Sequence, residues 1–185
     1  VVLAAAGQFA FGLHLLARTL DEGVLVLGVG EWSVRSGIIV AVDPLSALMV
    51  TLAAGTVLLA ILYGFAESRC ATEHPLRLPL LQFLLMGINL SFITGDLFNL
   101  FVGFEVMLIS SYALLTLEAD DWEVKQAYPY LALNLIGSTL FICAAGLLYA
   151  LAGTLNYAVL HERLATMSAD PRLTVLAFML ISVFT

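Results

Sequence analysis

The chain has 185 residues, 62% of them hydrophobic and 11% charged, with a mean hydropathy of +1.04. Soluble domains carry about a quarter charged residues, so this composition excludes an ordinary water-soluble fold and predicts an integral membrane protein. Seven basic against fourteen acidic side chains give a formal net charge of −7, which argues against nucleic acid as a partner.

The first apolar run extends from Val1 to about Ala17 and ends near Arg18. It lacks a basic n-region and a small-residue cleavage site, so a signal peptide is not expected. His14, one turn from its end, is expected at the interface. Gly23 to Val42 follows, with β-branched runs around Val24–Leu27 and Ile38–Val42 parted by Gly, Glu and Ser. This pattern predicts a β-hairpin outside the membrane. Its strands are shorter than the roughly nine to eleven residues that a spanning barrel strand needs.

The second run, Pro44 to Ala66, is long enough to cross a core of about 30 Å at about 1.5 Å per residue. Asp43 is placed as its N-cap, with Pro44 at the first helical position. The third run, Pro79 to Thr94, is short, and Arg77 can snorkel at its end. Gln82 and Asn89, seven apart, share a face expected to point into the bundle. The fourth run, Leu97 to Leu117, follows a tight turn at Gly95 and is expected to be capped by Asp96. The acidic stretch LEADDWEVKQ reads as a solvated connector to the fifth run, Ala127 to Leu151.

TLNYAVLHERLATM then predicts a short interfacial helix, with Leu155, Val159 and Leu160 toward lipid and Glu162 and Arg163 toward water. Asp170 and Pro171 repeat the cap pattern and open a sixth run. The sequence stops part-way through that run, so it reads as a fragment of a longer protein. In lipid every backbone amide must be satisfied within its own segment, so these runs are helices. The expected fold class is an all-α integral membrane protein, a polytopic transmembrane helix bundle with a short extramembrane β-hairpin. Basic residues are nearly balanced between the two sets of loops, so charge leaves the orientation open. Cys70 and Cys143 are expected at different depths, unbridged and without metal-ligand spacing.

Glu105 breaks the pattern. It lies nine residues past Asp96, about 13 to 14 Å along a helix axis and close to the midplane of the membrane. An ionised side chain there costs between about 3 and more than 10 kcal/mol. The carboxyl must therefore be protonated and hydrogen-bonded, paired with a buried cation, or wetted in a polar cavity. In the last two cases it can take up and release a proton. The plainer alternative is a protonated side chain bonding two helices together, a contact averaging about 0.6 kcal/mol that an amide would supply more cheaply. Asn134 and Ser138, four apart, share a helix face and are candidates to line a wet path toward Glu105, or else to form a small-residue packing seam with Gly137. Ser110, Ser111 and Tyr112 are candidates for the same path, or for bonds back to their own helix and for packing. There is no phosphate loop, nucleophile arrangement or metal cluster, so no enzyme chemistry, metal or cofactor is expected.

The stretch FITGDLFNLFVGFEVMLISSYALLTL, followed by YLALNLIGSTLFICAAGLLYALAGTLN, closely resembles the D-subunit family of Mrp-type cation/proton antiporters. That family is related to the antiporter-like subunits of respiratory complex I and of membrane-bound hydrogenases. The resemblance implies an inverted-repeat antiporter-like fold, in which Glu105 is the proton-transferring glutamate of the fifth transmembrane helix. Its lysine partner belongs to the seventh helix and falls outside this sequence. The resemblance also implies that residues 1–78 hold the first helices and an external hairpin at about 23–42. Residues 79–185 would then form the proton-translocating part, in a bacterial cell membrane. Expected partners are the other subunits of a hetero-oligomeric complex, lipid, protons and monovalent cations. Pro129 departs from the family pattern, where a basic residue often precedes the tyrosine that begins the sixth helix. Two rivals remain: a proton-pumping subunit of a complex I-like oxidoreductase or hydrogenase, and a scaffold subunit without an ion path.

Overall fold

The structure, a computed structural model, describes residues 1–29, 37–66, 74–166, 172–174 and 177. The elements in chain order are α1 (Val2–Glu22), β1 (Leu25–Val29), β2 (Ile38–Val42), α2 (Pro44–Ala66), α3 (Arg77–Ile93), α4 (Leu97–Thr116), α5 (Asp121–Ala152) and α6 (Tyr157–Thr166). Among the described residues, α2, α4 and α5 are long and apolar enough to cross a membrane. α3 is a shorter apolar helix of 17 residues. α1, with 21 residues, is diluted by Gln8, His14 and Arg18. The strands pair antiparallel with Leu25 opposite Val42 and Val29 opposite Ile38, which is the expected hairpin. The Asp170 cap and Cys70 lie outside the described residues.

Three boundaries differ from expectation, each for a local reason. α1 continues past Ala17 to Glu22, its last turn carrying an exposed Arg18–Glu22 ion pair of 2.6 Å four residues apart. It stops at Gly23, whose φ of 80° few other residues adopt. α3 starts two residues before Pro79, because a proline in the first turn has no helical partner for its missing N–H. α5 begins six residues before Ala127, so more than half of the supposed connector is helix. There Asp120 accepts from the Glu123 amide while the Glu123 carboxylate accepts from the Asp120 amide, a reciprocal cap.

Threonine hydroxyls inside the spans are spent on their own helices. Thr51, Thr56, Thr116 and Thr139 each donate to the carbonyl four residues back, at 2.7 to 2.8 Å. They thus present little unsatisfied polarity to lipid.

α1, α2 and α3 share a core of Ala5, Ala54, Val57, Ile61 and Leu85, with Phe9 and Leu81 packed around it. α3 and α4 approach more closely. A methyl group added to Gly87 would stand 2.5 Å from the Met107 amide nitrogen and 2.8 Å from the Gly103 carbonyl oxygen. One added to Gly103 would stand 2.7 Å from Ser91 Oγ. Small residues on both helices thus let the backbones touch, the usual way helices associate where lipid removes the hydrophobic drive. Since α4 carries Glu105, this crossing fixes the rotation of that helix.

At the start of α2, Asp43 Oδ1 accepts from the Ser46 amide at 2.6 Å. That bond holds the Asp43 carboxyl below its ordinary value of 3.8. A lowered folded value means stabilisation that is fully present above 3.8 and lost as pH falls through the folded value.

Gly87→Ala forces backbone apart on the α3–α4 crossing, and should lower stability by about 1 to 3 kcal/mol, read as a reduced Tm of the protein in detergent. Asp43→Ala should cost about 1 kcal/mol at neutral pH. The gap to wild type should close as pH drops below 3.8, and a gap that stays constant there would show that ionisation is irrelevant.

Candidate functional site

α4 is held between two helices through different sides of its circumference. Gly103 and the Met107 backbone face α3. Phe101 stacks on the buried Phe141 of α5 at 6.1 Å between ring centres, and Phe104 meets the same ring edge-on at 6.4 Å. Higher on the helix, Tyr112 meets Tyr130 edge-on at 5.4 Å. Glu105 is the ninth residue of this 20-residue helix, so it sits near mid-span.

The Glu105 side chain is half-buried, and its Oε1 is buried without a hydrogen-bond partner among the described residues. The same holds for Tyr112 OH on α4, Gln82 Nε2 and Asn89 Oδ1 on α3, and Gln8 Oε1 on α1. A buried orphan polar atom costs about 1 to 3 kcal/mol, and more if charged, so each of these atoms is a place where a water or another chain segment is needed. Gln8 is not among the residues that sequence reasoning singles out; a lone amide in an alanine-rich run is the signal that could have found it.

The other candidates divide. Asn134 and Ser138 line a cavity of about 190 Å³ between α5 and α4, together with Phe101, Phe104 and Leu108. Glu105 is not among its lining residues. Asn134 also donates to the Tyr130 carbonyl at 2.8 Å. The alternative packing seam is not formed at Gly137, which also lines that cavity and where an added methyl would meet nothing within 4 Å. Ser110 and Ser111 bond back to Val106 and Leu108 carbonyls at 2.7 and 2.8 Å. His14 is exposed, and Cys143 is a free, exposed thiol.

The depth of α4 is set at its first turn. Asp96 Oδ1 accepts from the Phe98 and Asn99 amides at 2.8 and 3.2 Å. Thr94 Oγ1 accepts from the Asp96 amide. Gly95 donates its amide to the Ile39 carbonyl of β2 at 2.8 Å. Its own carbonyl accepts from the Tyr157 amide at 3.0 Å and from Asn156 Nδ2 at 3.4 Å. The Leu97 amide reaches the Leu155 carbonyl at 3.0 Å. Asn156, 3% exposed, also caps α6 by accepting from the Ala158 and Val159 amides. Asn156 has no role in the sequence reading, although an Asn immediately before an apolar helical stretch is a cap signal. Beside it, burial and the Asp96 carboxylate push the Tyr157 phenol up to about 12.

Around α6 Glu162 is exposed as expected, while Leu155, Leu160 and Arg163 meet protein instead. Leu160 is buried against Leu148 and Ala152, and Leu155 packs on the same cluster. Arg163 donates to the Ala152 carbonyl instead of turning to water. A helix end leaves carbonyls without partners, and a cation nearby satisfies one of them. Only ten residues long, α6 thus packs its apolar side on the end of α5.

This architecture is one that known proteins share. Aligned with the Mrp complex of Dietzia sp. DQ12-45-1b, the chain gives a TM-score of 0.81 at 26% identity, covering 98% of this chain and 34% of that one. Residues 94–185 match the family described as NADH:quinone oxidoreductase/Mrp antiporter, TM. The fold and span pattern therefore define a multi-pass membrane protein of antiporter-like build. Residues 94–185 match that family, and over nearly its whole length the chain is similar to antiporter-like membrane subunits.

It is 34% identical over 98% of its length to the D subunit of the Na(+)/H(+) antiporter of Alkalihalophilus pseudofirmus. It is 44% identical over 80% of its length to the D subunit of a probable K(+)/H(+) antiporter of Rhizobium meliloti. It spans 37% and 26% of those two relatives.

Asn156→Ala removes both the α6 cap and the side-chain bond to Gly95. It should cost about 1 to 2 kcal/mol, seen as faster hydrogen exchange confined to residues around 95–97 and 155–160. Unchanged exchange there would mean that the backbone bonds alone hold the junction.

Proposed function

We propose that this chain is part of a membrane subunit of a multisubunit monovalent cation/proton antiporter of a bacterial cell membrane, and that Glu105 carries the transported proton. The observation behind this is a carboxyl at mid-span whose buried oxygen has no partner among the described residues. With that oxygen unbonded, a cation or water is the partner that would hold the carboxyl in lipid, and either makes it useful for moving protons. The lysine that the resemblance implies supplies the cation. Protonation of Glu105 weakens its hold on that lysine, and the change in attraction couples proton movement to cation movement. The named relatives differ in cation, sodium in one and potassium in the other, so the proposal extends to monovalent cations as a class.

A second reading is favoured by the family description, which also covers NADH:quinone oxidoreductases: the same glutamate would serve a redox-driven pump. The two differ in what drives the proton. An antiporter exchanges on an imposed cation gradient alone, whereas a pump needs electron transfer.

The test is cation/proton exchange in everted vesicles bearing the intact complex, with wild type beside Glu105→Gln. That variant keeps shape and hydrogen bonding but cannot titrate. Exchange should fall by about a hundredfold or more at normal assembly, the scale of losing a positioned proton-transfer group. Undiminished exchange would leave the chain a scaffold for an ion path elsewhere.

A further inference from the structure

Tyr112 lies seven residues beyond Glu105, two turns along α4 and on the same side of the helix. Side chains on a helix lean toward its N-terminus, which carries the tyrosine ring back toward Glu105. The hydroxyl is buried and has no partner among the described residues, as Glu105 Oε1 has none. The two groups are also close enough to interact electrostatically. The ring is steadied by its edge contact with Tyr130.

The end of the bundle away from the hairpin opens toward this tyrosine. A cleft of about 630 Å³ runs between α4 and the start of α5, lined by Glu118, Glu123, Gln126 and Tyr130. A second cavity of about 260 Å³ lies between the same helices, lined by Thr116, Tyr128, Leu131 and Tyr112 itself. The larger cleft is lined by two carboxylates and the smaller cavity by the tyrosine. Glu105 lines neither of them.

We propose that Tyr112 is a relay and positioning residue between the water-accessible clefts at this end and Glu105. Its hydroxyl accepts a hydrogen bond from water in the smaller cavity and donates one toward the Glu105 carboxylate, directly or through a single water. As a proton arrives on the phenol oxygen from the cavity side, the phenol's own proton leaves on the Glu105 side. One O–H bond forms as another breaks, and the tyrosine is neutral before and after. Groups of this kind, which both donate and accept, are what a buried proton step needs where a carboxylate alone would be isolated. The inference rests on the reading of Glu105 as the proton carrier, and it adds the side from which the proton reaches it.

The test uses the intact complex in three variants: Tyr112→Phe, which keeps the ring and its contact with Tyr130; Tyr63→Phe, an exposed tyrosine of α2, as control; and Glu105→Gln. Exchange is measured in vesicles. The carboxyl C=O stretch of protonated Glu105, assigned by its loss in Glu105→Gln, is followed by infrared difference spectroscopy. Tyr112→Phe should slow exchange at least several-fold and move that band to higher frequency as a hydrogen bond is lost, while Tyr63→Phe changes neither. An unmoved band in Tyr112→Phe overturns the proposal, whether exchange is intact or is slowed by altered packing. Full exchange in Glu105→Gln is a different failure, since it removes the proton carrier itself.

Discussion

Three segments distant in sequence meet on one glycine. The Gly95 amide is bonded to β2 and its carbonyl to the start of α6, while the next helix begins two residues later under the Asp96 cap. Peptide groups at the edge of a bilayer need partners, and here the hairpin and the α5–α6 connection supply them to each other through a two-residue turn. Pinning that turn fixes where α4 starts, and the rise of the helix then fixes the level at which Glu105 stands. The Gly87–Gly103 contact supplies the remaining coordinate, because backbone against backbone permits only one rotation of α4 on α3. Depth and azimuth of the carboxyl are thus decided by residues that never touch it.

The consequence is a site of uneven character. Around Gly87 and Gly103 the side of α4 facing α3 is closed by direct backbone contact. The side facing α5 is built from aromatic rings with gaps between them. Phe141 takes two phenylalanines from α4, and beside that cluster Asn134 and Ser138 border open space. Around Phe141 polarity and room thus occur together, while the Gly87–Gly103 contact serves as an anchor.

Much of this is legible from residue order alone. α2 and α4 can be read nearly to the residue, because proline after aspartate and aspartate after glycine are strong start signals and lipid leaves the helix as the available conformation. The hairpin is legible from β-branched runs too short to do anything else. The start of α5 escapes that reading, although the Asp120–Glu123 spacing is there to see, because a run of charges looks like solvated chain when it is the first turns of a helix outside the membrane. α6 escapes it for a different reason. Amphipathicity says that one side of a helix is apolar but not whether lipid or protein covers it, and no local pattern announces the long reach of Arg163 to the Ala152 carbonyl. For the site, depth exposes Glu105, whereas the orphan atoms and cavities depend on how helices far apart in sequence are set side by side.

The length of α5 has a further effect. Its 32 residues rise about 48 Å, well beyond a hydrocarbon core of about 30 Å. Its far end is held, with the Gly153 amide on the Tyr149 carbonyl, Arg163 on the Ala152 carbonyl and the following loop bonded to Gly95. The surplus therefore projects at the end that carries Trp122, and Tyr128 and Tyr130 fall where an aromatic belt would sit. A helix fixed at one end cannot slide to suit a thinner or thicker bilayer, so it accommodates mismatch by tilting. Any tilt swings the Trp122 end the most, and with it the cleft between α5 and α4, which ties the width of that opening to the thickness of the surrounding lipid.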